Sequence, residues 1–189
     1  MDDIILIGYG GHGKSVADCI ERKKEYRIVG YTDFKSRKTS YKYLGTDDIL
    51  EEVFKGGVKN AAVGIGYMGK GNIRETIYKK LKKIGFNLPV ICDSSSIISS
   101  TAQIGEGVFV GKGSIINTEA IVERMAIINT NTLIEHECIV EEYAHIAVGA
   151  VLCGQVKIGK SSFVGANSTI IQQRKVESYS IIPAGAIIR

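Results

Sequence analysis

From Ile98 to Ile188 every sixth residue is Ile, Val or Leu, sixteen positions without an exception. Four residues after each stands a second series, Ala102, Val108, Ser114, Ala120, Ala126 and onward to Ala186, in which only Arg174 is large. Neither the 3.6-residue period of an α-helix nor the two-residue alternation of a strand holds a bulky aliphatic and a small residue in fixed phase over so long a stretch. A three-sided coil with six residues per face does, with the aliphatics stacked inside and the small residues in the corners. Gly105, Gly111, Asn117, Asn129, Gly159 and Gly165 follow aliphatic positions and suit a turn at positive φ. Arg174 in an inward phase predicts a local bulge over 170–175.

The first ninety residues follow a different pattern. Apolar runs predict strands at 3–8, 27–32 and 59–65, and helical spacing predicts helices near 13–24, 47–54 and 72–84. Alternating strands and helices read as a small parallel α/β sheet. The chain therefore divides into an α/β unit at 1–90 and a coil of about five turns at 91–189. Gly8, Gly10 and Gly13 form GxGxxG between the first strand and helix, and Asp33 closes the second strand. That is the dinucleotide-binding fingerprint, in which a helix N-terminus receives phosphate and the carboxylate holds a ribose hydroxyl. Read literally it means NAD, but the segment has room for only one mononucleotide-binding half, which favours a single nucleotide moiety. Gly13 alternatively serves helix packing, His12 an exposed loop and Asp33 a turn cap.

Composition narrows the class. The 189 residues are 44% hydrophobic and 23% charged, as in folded globular proteins. No apolar run approaches the roughly 20 residues of a membrane span, and the N-terminus lacks the cationic start of a signal peptide. Cys19, Cys92, Cys138 and Cys153 form no CxxC pair, arguing against a zinc ribbon or disulfide framework and for a cytoplasmic chain. A net charge of +4 with dispersed basic residues gives no nucleic-acid footprint. Three histidines, only two of them in the coil, are too few for a β-helix zinc site, so no metal is expected.

Two residues after Ile134, His136 has an outward phase, and Gly154 lies eighteen residues on, one coil above, at about the 4.8 Å spacing of adjacent strands. An imidazole base and a backbone N–H thus become neighbours, which acyl transfer requires for deprotonating the acceptor and holding the oxyanion. Glu135 and Glu137 both flank the histidine and compete to orient it. His145 is one and a half faces from His136, so the two rings point to opposite sides and meet only across a subunit interface.

The hexapeptide pattern over about 95–189 resembles the hexapeptide-repeat acyltransferases, whose fold is a left-handed parallel β-helix and whose usual assembly is a homotrimer. The GYGGHG turn joined to IEHECIVEEYAHIAVGAVLCG is similar to the sialic-acid-type O-acetyltransferases and the N-acetyltransferases of UDP-4-amino-sugars in bacillosamine-type glycan synthesis. The resemblance implies acetyl-CoA as co-substrate and a nucleotide-sugar acceptor, with N-acetylation of a UDP-4-amino-sugar the leading expectation and O-acetylation of a sialic-acid-type sugar the alternative. It implies His136 as general base, Glu137 as its orienting carboxylate and the Gly154 amide as oxyanion donor. Gly10, Gly11, His12, Gly13, Asp33 and Asn129 are then acceptor-binding candidates, and His145, Gly154, Gly165, Ala166, Ile182 and Pro183 cofactor-binding ones. An NAD-dependent enzyme and a noncatalytic β-helix scaffold are the competing classes; an outward histidine stacked on a glycine disfavours the scaffold.

Overall fold

The computed structural model describes residues 1–189. The N-terminal part is a four-stranded parallel sheet of β1 (Asp2–Ile7), β2 (Tyr26–Thr32), β3 (Tyr43–Gly45) and β4 (Asn60–Val63), in the order β3-β2-β1-β4. The central strand β1 is buried from Ile4 to Ile7, which explains its unbroken apolar run. Helix α1 (Gly11–Lys23) presents Val16, Ala17, Cys19 and Ile20 as its buried stripe. A 3₁₀ turn at Asp47–Ile49 leads into the short α2 (Leu50–Lys55). Helix α3 (Ile73–Ile84) buries Arg74, Ile77 and Leu81 and stops at Gly85, which adopts φ +112° and donates to Leu81 and Lys82 carbonyls. Strand β3 was not expected from the pattern: it has three half-buried residues and meets β2 at an irregular register.

From Ile91 the chain coils into a parallel β-solenoid matching a left-handed β-helix. Its strands are two residues long and stack on three faces. The first face runs from Ile91–Cys92 to Ile181–Ile182, the second from Ile97–Ile98 to Ile187–Ile188, and the third from Gln103–Ile104 to Lys175–Val176. Pairings such as Ile127↔His145 and Leu133↔Val151 step by one coil, so the six-residue period maps onto the faces as expected. The second residue of each strand points inward, and Ile116, Ile134, Ile146, Leu152, Ile158 and Ile170 belong to one continuous core with the small corner residues. Only the end positions Cys92, Ile98, Ile104, Ile182 and Ile188 are partly open.

Two details differ from expectation. Positive φ falls three residues after the aliphatic, not one, at Met125, Glu137, Tyr143, Gln155 and their equivalents, where φ is near 60°. Gly105, Gly111, Gly159 and Gly165 are instead needed for contact with the next coil: a Cβ at Gly159 would lie 2.4 Å from the Ser178 nitrogen. Asn117 and Asn129 do not have positive φ either. No bulge forms at 170–175, since Lys157↔Lys175 and Ile158↔Val176 pair in register. Arg174 escapes the core because its strand neighbour Lys175–Val176 is the edge of the third face, so no coil covers the corner and the side chain is exposed.

The α/β part covers the first face. Ile91, Phe109 and Ile127 point outward from the prism into the packing of Ile4, Leu6, Val16 and Ile20. No helix is long and apolar enough to cross a membrane.

Candidate functional site

The site residues fall on two different edges of the prism. Catalytic candidates occupy the edge between the second and third faces, and a cavity of about 970 Å³ lies between the α/β part and the edge joining the first and second faces.

On the catalytic edge, His136 Nδ1 lies 2.9 Å from Glu137 Oε2. A carboxylate there can only accept, so Nδ1 carries the proton and Nε2 is left with its lone pair. Glu135 does not reach the ring; its Oε2 accepts from the His136 backbone N–H at 3.3 Å. The structure thus separates the two competing glutamates. Hydrogen bonds from His136 and then Gln155 hold the Glu137 carboxyl below the usual range. The ring lies against Gly154, where a Cβ would stand 2.5 Å from Nε2. Two residues after each aliphatic, the backbone N–H is left out of the coil-to-coil bonding. Thr130, His136, Glu142 and Lys160 spend theirs on side-chain oxygens, but that of Gly154 donates to nothing within the chain.

The cavity gathers Gly10, Gly11, His12, Asp33, Asn129 and His145 with Thr32, Phe34, Arg37, Thr46, Asp47 and Val148. Gly10 caps α1 without a side-chain bond, and no acidic residue stands in the first turn, so the N–H groups at this helix start are available to an anion. Gly10 and Gly11 face open space. Gly13 does not: a Cβ there would meet the Gly8 oxygen at 2.4 Å, so Gly13 serves helix packing, together with Gly64, which no motif had marked. The His12 ring packs edge-on against Phe109, its Nε2 enclosed and without a partner. Burial, then the charges of Arg74 and His145, push its pKa down to about 3.

Asp33 is buried and already engaged. Its oxygens accept from Tyr9 N at 3.2 Å, Phe34 N at 2.8 Å and Arg37 Nε at 3.1 Å. Burial opposes ionisation, but the bonds from Arg37, Tyr9 and Phe34 outweigh it and hold the carboxyl below its ordinary range. A carboxylate so occupied is a poor free acceptor for the two ribose hydroxyls of NAD. Arg37 was missed because the loop carrying it has no periodic pattern.

His145 lies apart from the other cofactor candidates. It sits on the cavity floor with Asn129, not with Gly165, Ala166, Ile182 and Pro183. It is 6% exposed, with Nδ1 2.5 Å from the Tyr67 carbonyl oxygen and Nε2 3.1 Å from Asn129 Nδ2. Nδ1 therefore donates and Nε2 accepts from the amide. Burial pushes the pKa down to about 4 despite the Tyr67 bond, so the ring is neutral. Behind it Arg74 is fully buried, donating to the Ile65 and Met125 carbonyls and so fastening the cavity loop to the coil.

Gly165, Ala166, Ile182 and Pro183 continue the same edge upward from Asn129 and Val148. The N–H groups of Val148, Ala166 and Ala184, one coil apart, donate to nothing within the chain. This ladder of spare donors along an open edge fits the amide-bearing arm of coenzyme A. No group of three or more His, Cys, Asp or Glu side chains could hold a metal.

Residues 3–81 match the PglD N-terminal domain family. Along its full length the chain is similar to PerB from Caulobacter crescentus, crystallised with CoA and GDP-perosamine, at TM-score 0.94 and 26% identity, covering 89% of that chain. By build, the chain is a hexapeptide-repeat acetyltransferase. The acetyltransferase domain of PglB from Neisseria gonorrhoeae in complex with acetyl coenzyme A matches at TM-score 0.89 and 27% identity, over 98% of this chain and 92% of that one. WeeI from Acinetobacter baumannii, at 15% identity and TM-score 0.62 over 99% of this chain and 96% of that one, shares the fold.

Proposed function

We propose that the chain N-acetylates a nucleotide-linked amino sugar with acetyl-CoA, working in the cytoplasm as a homotrimer with sites between subunits. The observation that carries this reading is the His136–Glu137 pair seated against Gly154, whose N–H is unspent. The similarity to PerB and PglB supports the substrate class, and a UDP-4-amino-sugar remains the leading acceptor.

The neutral amine of the acceptor attacks the thioester carbonyl carbon, and His136 Nε2 takes its proton. Glu137 stabilises the imidazolium, and Gly154 N–H donates to the oxyanion. Collapse expels the CoA thiolate, which recovers the proton from His136. The acceptor's phosphates lie at the start of α1, against the N–H groups by Gly10 and Gly11, with Phe34 offering an exposed ring to the base. His12, Asn129 and His145 face its sugar. Gly165, Ala166, Ile182 and Pro183 line the acetyl-CoA groove.

Edge geometry supports the trimer. The catalytic edge and the cavity edge flank the second face, whose outward column is Ile97, Ile115, Leu133, Val151, Thr169 and Ile187. This column is apolar but for Thr169, and Ile97 and Ile187 are 64% and 59% exposed. A three-fold axis beside this face brings the cavity edge of one copy to the catalytic edge of the next. Four free cysteines accord with the cytoplasm.

The test is thiol release from acetyl-CoA with UDP-, GDP-, dTDP- and CMP-linked amino sugars, with light scattering for mass. His136→Ala is expected to lower kcat by at least about 10²-fold while CoA still binds. Near-full turnover in that variant, or a fully active monomer, overturns the corresponding part of the reading.

A further inference from the structure

On the catalytic edge the left-handed corner residues of three successive coils, Glu137, Gln155 and Gln173, have φ of 59°, 61° and 61°. Their shared backbone stacks the side chains in one column. Gln155 Nε2 donates to Glu137 Oε2 at 3.2 Å, and Gln173 Nε2 donates to Gln155 Oε1 at 2.9 Å. The same Glu137 oxygen accepts from His136 Nδ1 at 2.9 Å. A carboxylate offers only lone pairs, so the Gln155 NH₂ must face it, and the carbonyl end is then turned upward to the next amide. The donors run in one direction, from Gln173 through Gln155 to Glu137.

We infer that Gln155, braced by Gln173, is a positioning residue that holds the Glu137 carboxylate on the His136 ring. The inference rests on His136 acting as the base. Glu137 and His136 are about half exposed in the single chain. Without a second tether, the flexible carboxylate has other rotamers open to it; the Gln155 bond fixes the oxygen that receives Nδ1–H. Two glutamines at equivalent positions exceed what corner geometry requires, since Ser161 and Tyr179 occupy corners of the same conformation elsewhere.

The experiment compares kcat, both KM values and the pH profile of kcat/KM for full-length Gln155→Asn, Gln155→Glu and His136→Ala. Asparagine suits the left-handed corner, as at Asn131 and Asn167, but is too short to reach Glu137. Glutamate keeps the length and replaces the donor with a like charge. Both Gln155 variants are expected to lower kcat about three- to tenfold, with each KM within about twofold. The acid limb of kcat/KM is expected to move in opposite directions, to lower pH for Gln155→Asn, whose untethered Glu137 carboxylate leaves the ring, and to higher pH for Gln155→Glu, whose added charge lies beside it. Gln155 variants matching the wild type in kcat and pH profile, while His136→Ala is inactive, overturn this inference alone. Turnover retained in His136→Ala overturns the functional reading beneath it. A loss of kcat with no movement of the acid limb in either variant also rejects the positioning role.

Discussion

The imidazole of His136 rests on the α-carbon of Gly154, one coil above, with room for no β-carbon between them: one at 154 would sit 2.5 Å from Nε2 and 2.6 Å from Cε1. Gly154 lacks a positive φ, so alanine suits its backbone, and the only atoms displaced belong to a half-exposed side chain.

Gly154→Ala is therefore expected to fold with a melting temperature close to the wild type but to turn the His136 ring, the proposed base, away from its present position. The expected loss in kcat is about 10²-fold or more, comparable to losing a general base. Steady-state kinetics alongside a thermal melt decide this; normal kcat would mean the ring works from another rotamer.

His12 and His145 set an acid limit to stability. Their native pKa values are pushed down to about 3 and about 4, against an unperturbed 6.5, principally by burial. The unfolded chain thus binds more protons between these values, and stability rises with pH there. The stabilising contribution is complete above about pH 6.5 and is lost as pH falls towards 4. Melting temperature measured from pH 7.5 to 4.5 is expected to decline over that window, and less steeply for His145→Gln. Equal slopes would place the sensitivity elsewhere.

Arg74 bridges the Ile65 and Met125 carbonyls, linking the cavity loop to the coil with no carboxylate beside it. Arg74→Met leaves two buried carbonyls without donors, and a cost of about 2–4 kcal/mol is expected. Because the loop from Gly64 to Met68 lines the cavity, the KM for the acceptor is expected to rise more than that for acetyl-CoA. Denaturant titration and kinetics test both; a variant as stable as the wild type would show that the carbonyls find other partners.

Much of this was legible in the sequence because a six-residue repeat fixes position as well as fold. Once Ile134 is inside, His136 must be at a corner, and Gly154 must be above it. The same arithmetic separates His136 from His145. What the repeat leaves open is where a backbone becomes strained, so positive φ was assigned to Gly105 and its equivalents instead of Gly107, Met125 and Gln155. Contacts between the two parts of the chain were invisible for another reason. Arg74 looks like an ordinary surface residue of an amphipathic helix, and the pairing of Asp33 with Arg37 depends on an aperiodic loop. His145 was grouped with the cofactor residues because nothing in a single chain's pattern says that the Tyr67 loop folds over the first face.

The Asp33–Arg37 pair offers a test between a nucleotide-sugar site and a dinucleotide site at the glycine turn. Asp33 accepts from Tyr9 N, Phe34 N and Arg37, so its loss releases a guanidinium at the cavity wall and unfastens the turn carrying Phe34. Asp33→Ala is expected to raise the acceptor KM about tenfold or more, the scale of losing hydrogen bonds to a charged group. The KM for acetyl-CoA should stay within about twofold, because the groove proposed for it lies on the upper coils. Arg37→Met is expected to reproduce the pattern, since either change breaks the pair. Calorimetry should find a nucleoside diphosphate binding the wild type and NAD failing to bind. A silent Arg37→Met beside a damaged Asp33→Ala would mean that the carboxylate touches the ligand directly. NAD binding tightly to the wild type and lost in Asp33→Ala would make the glycine turn a dinucleotide site after all.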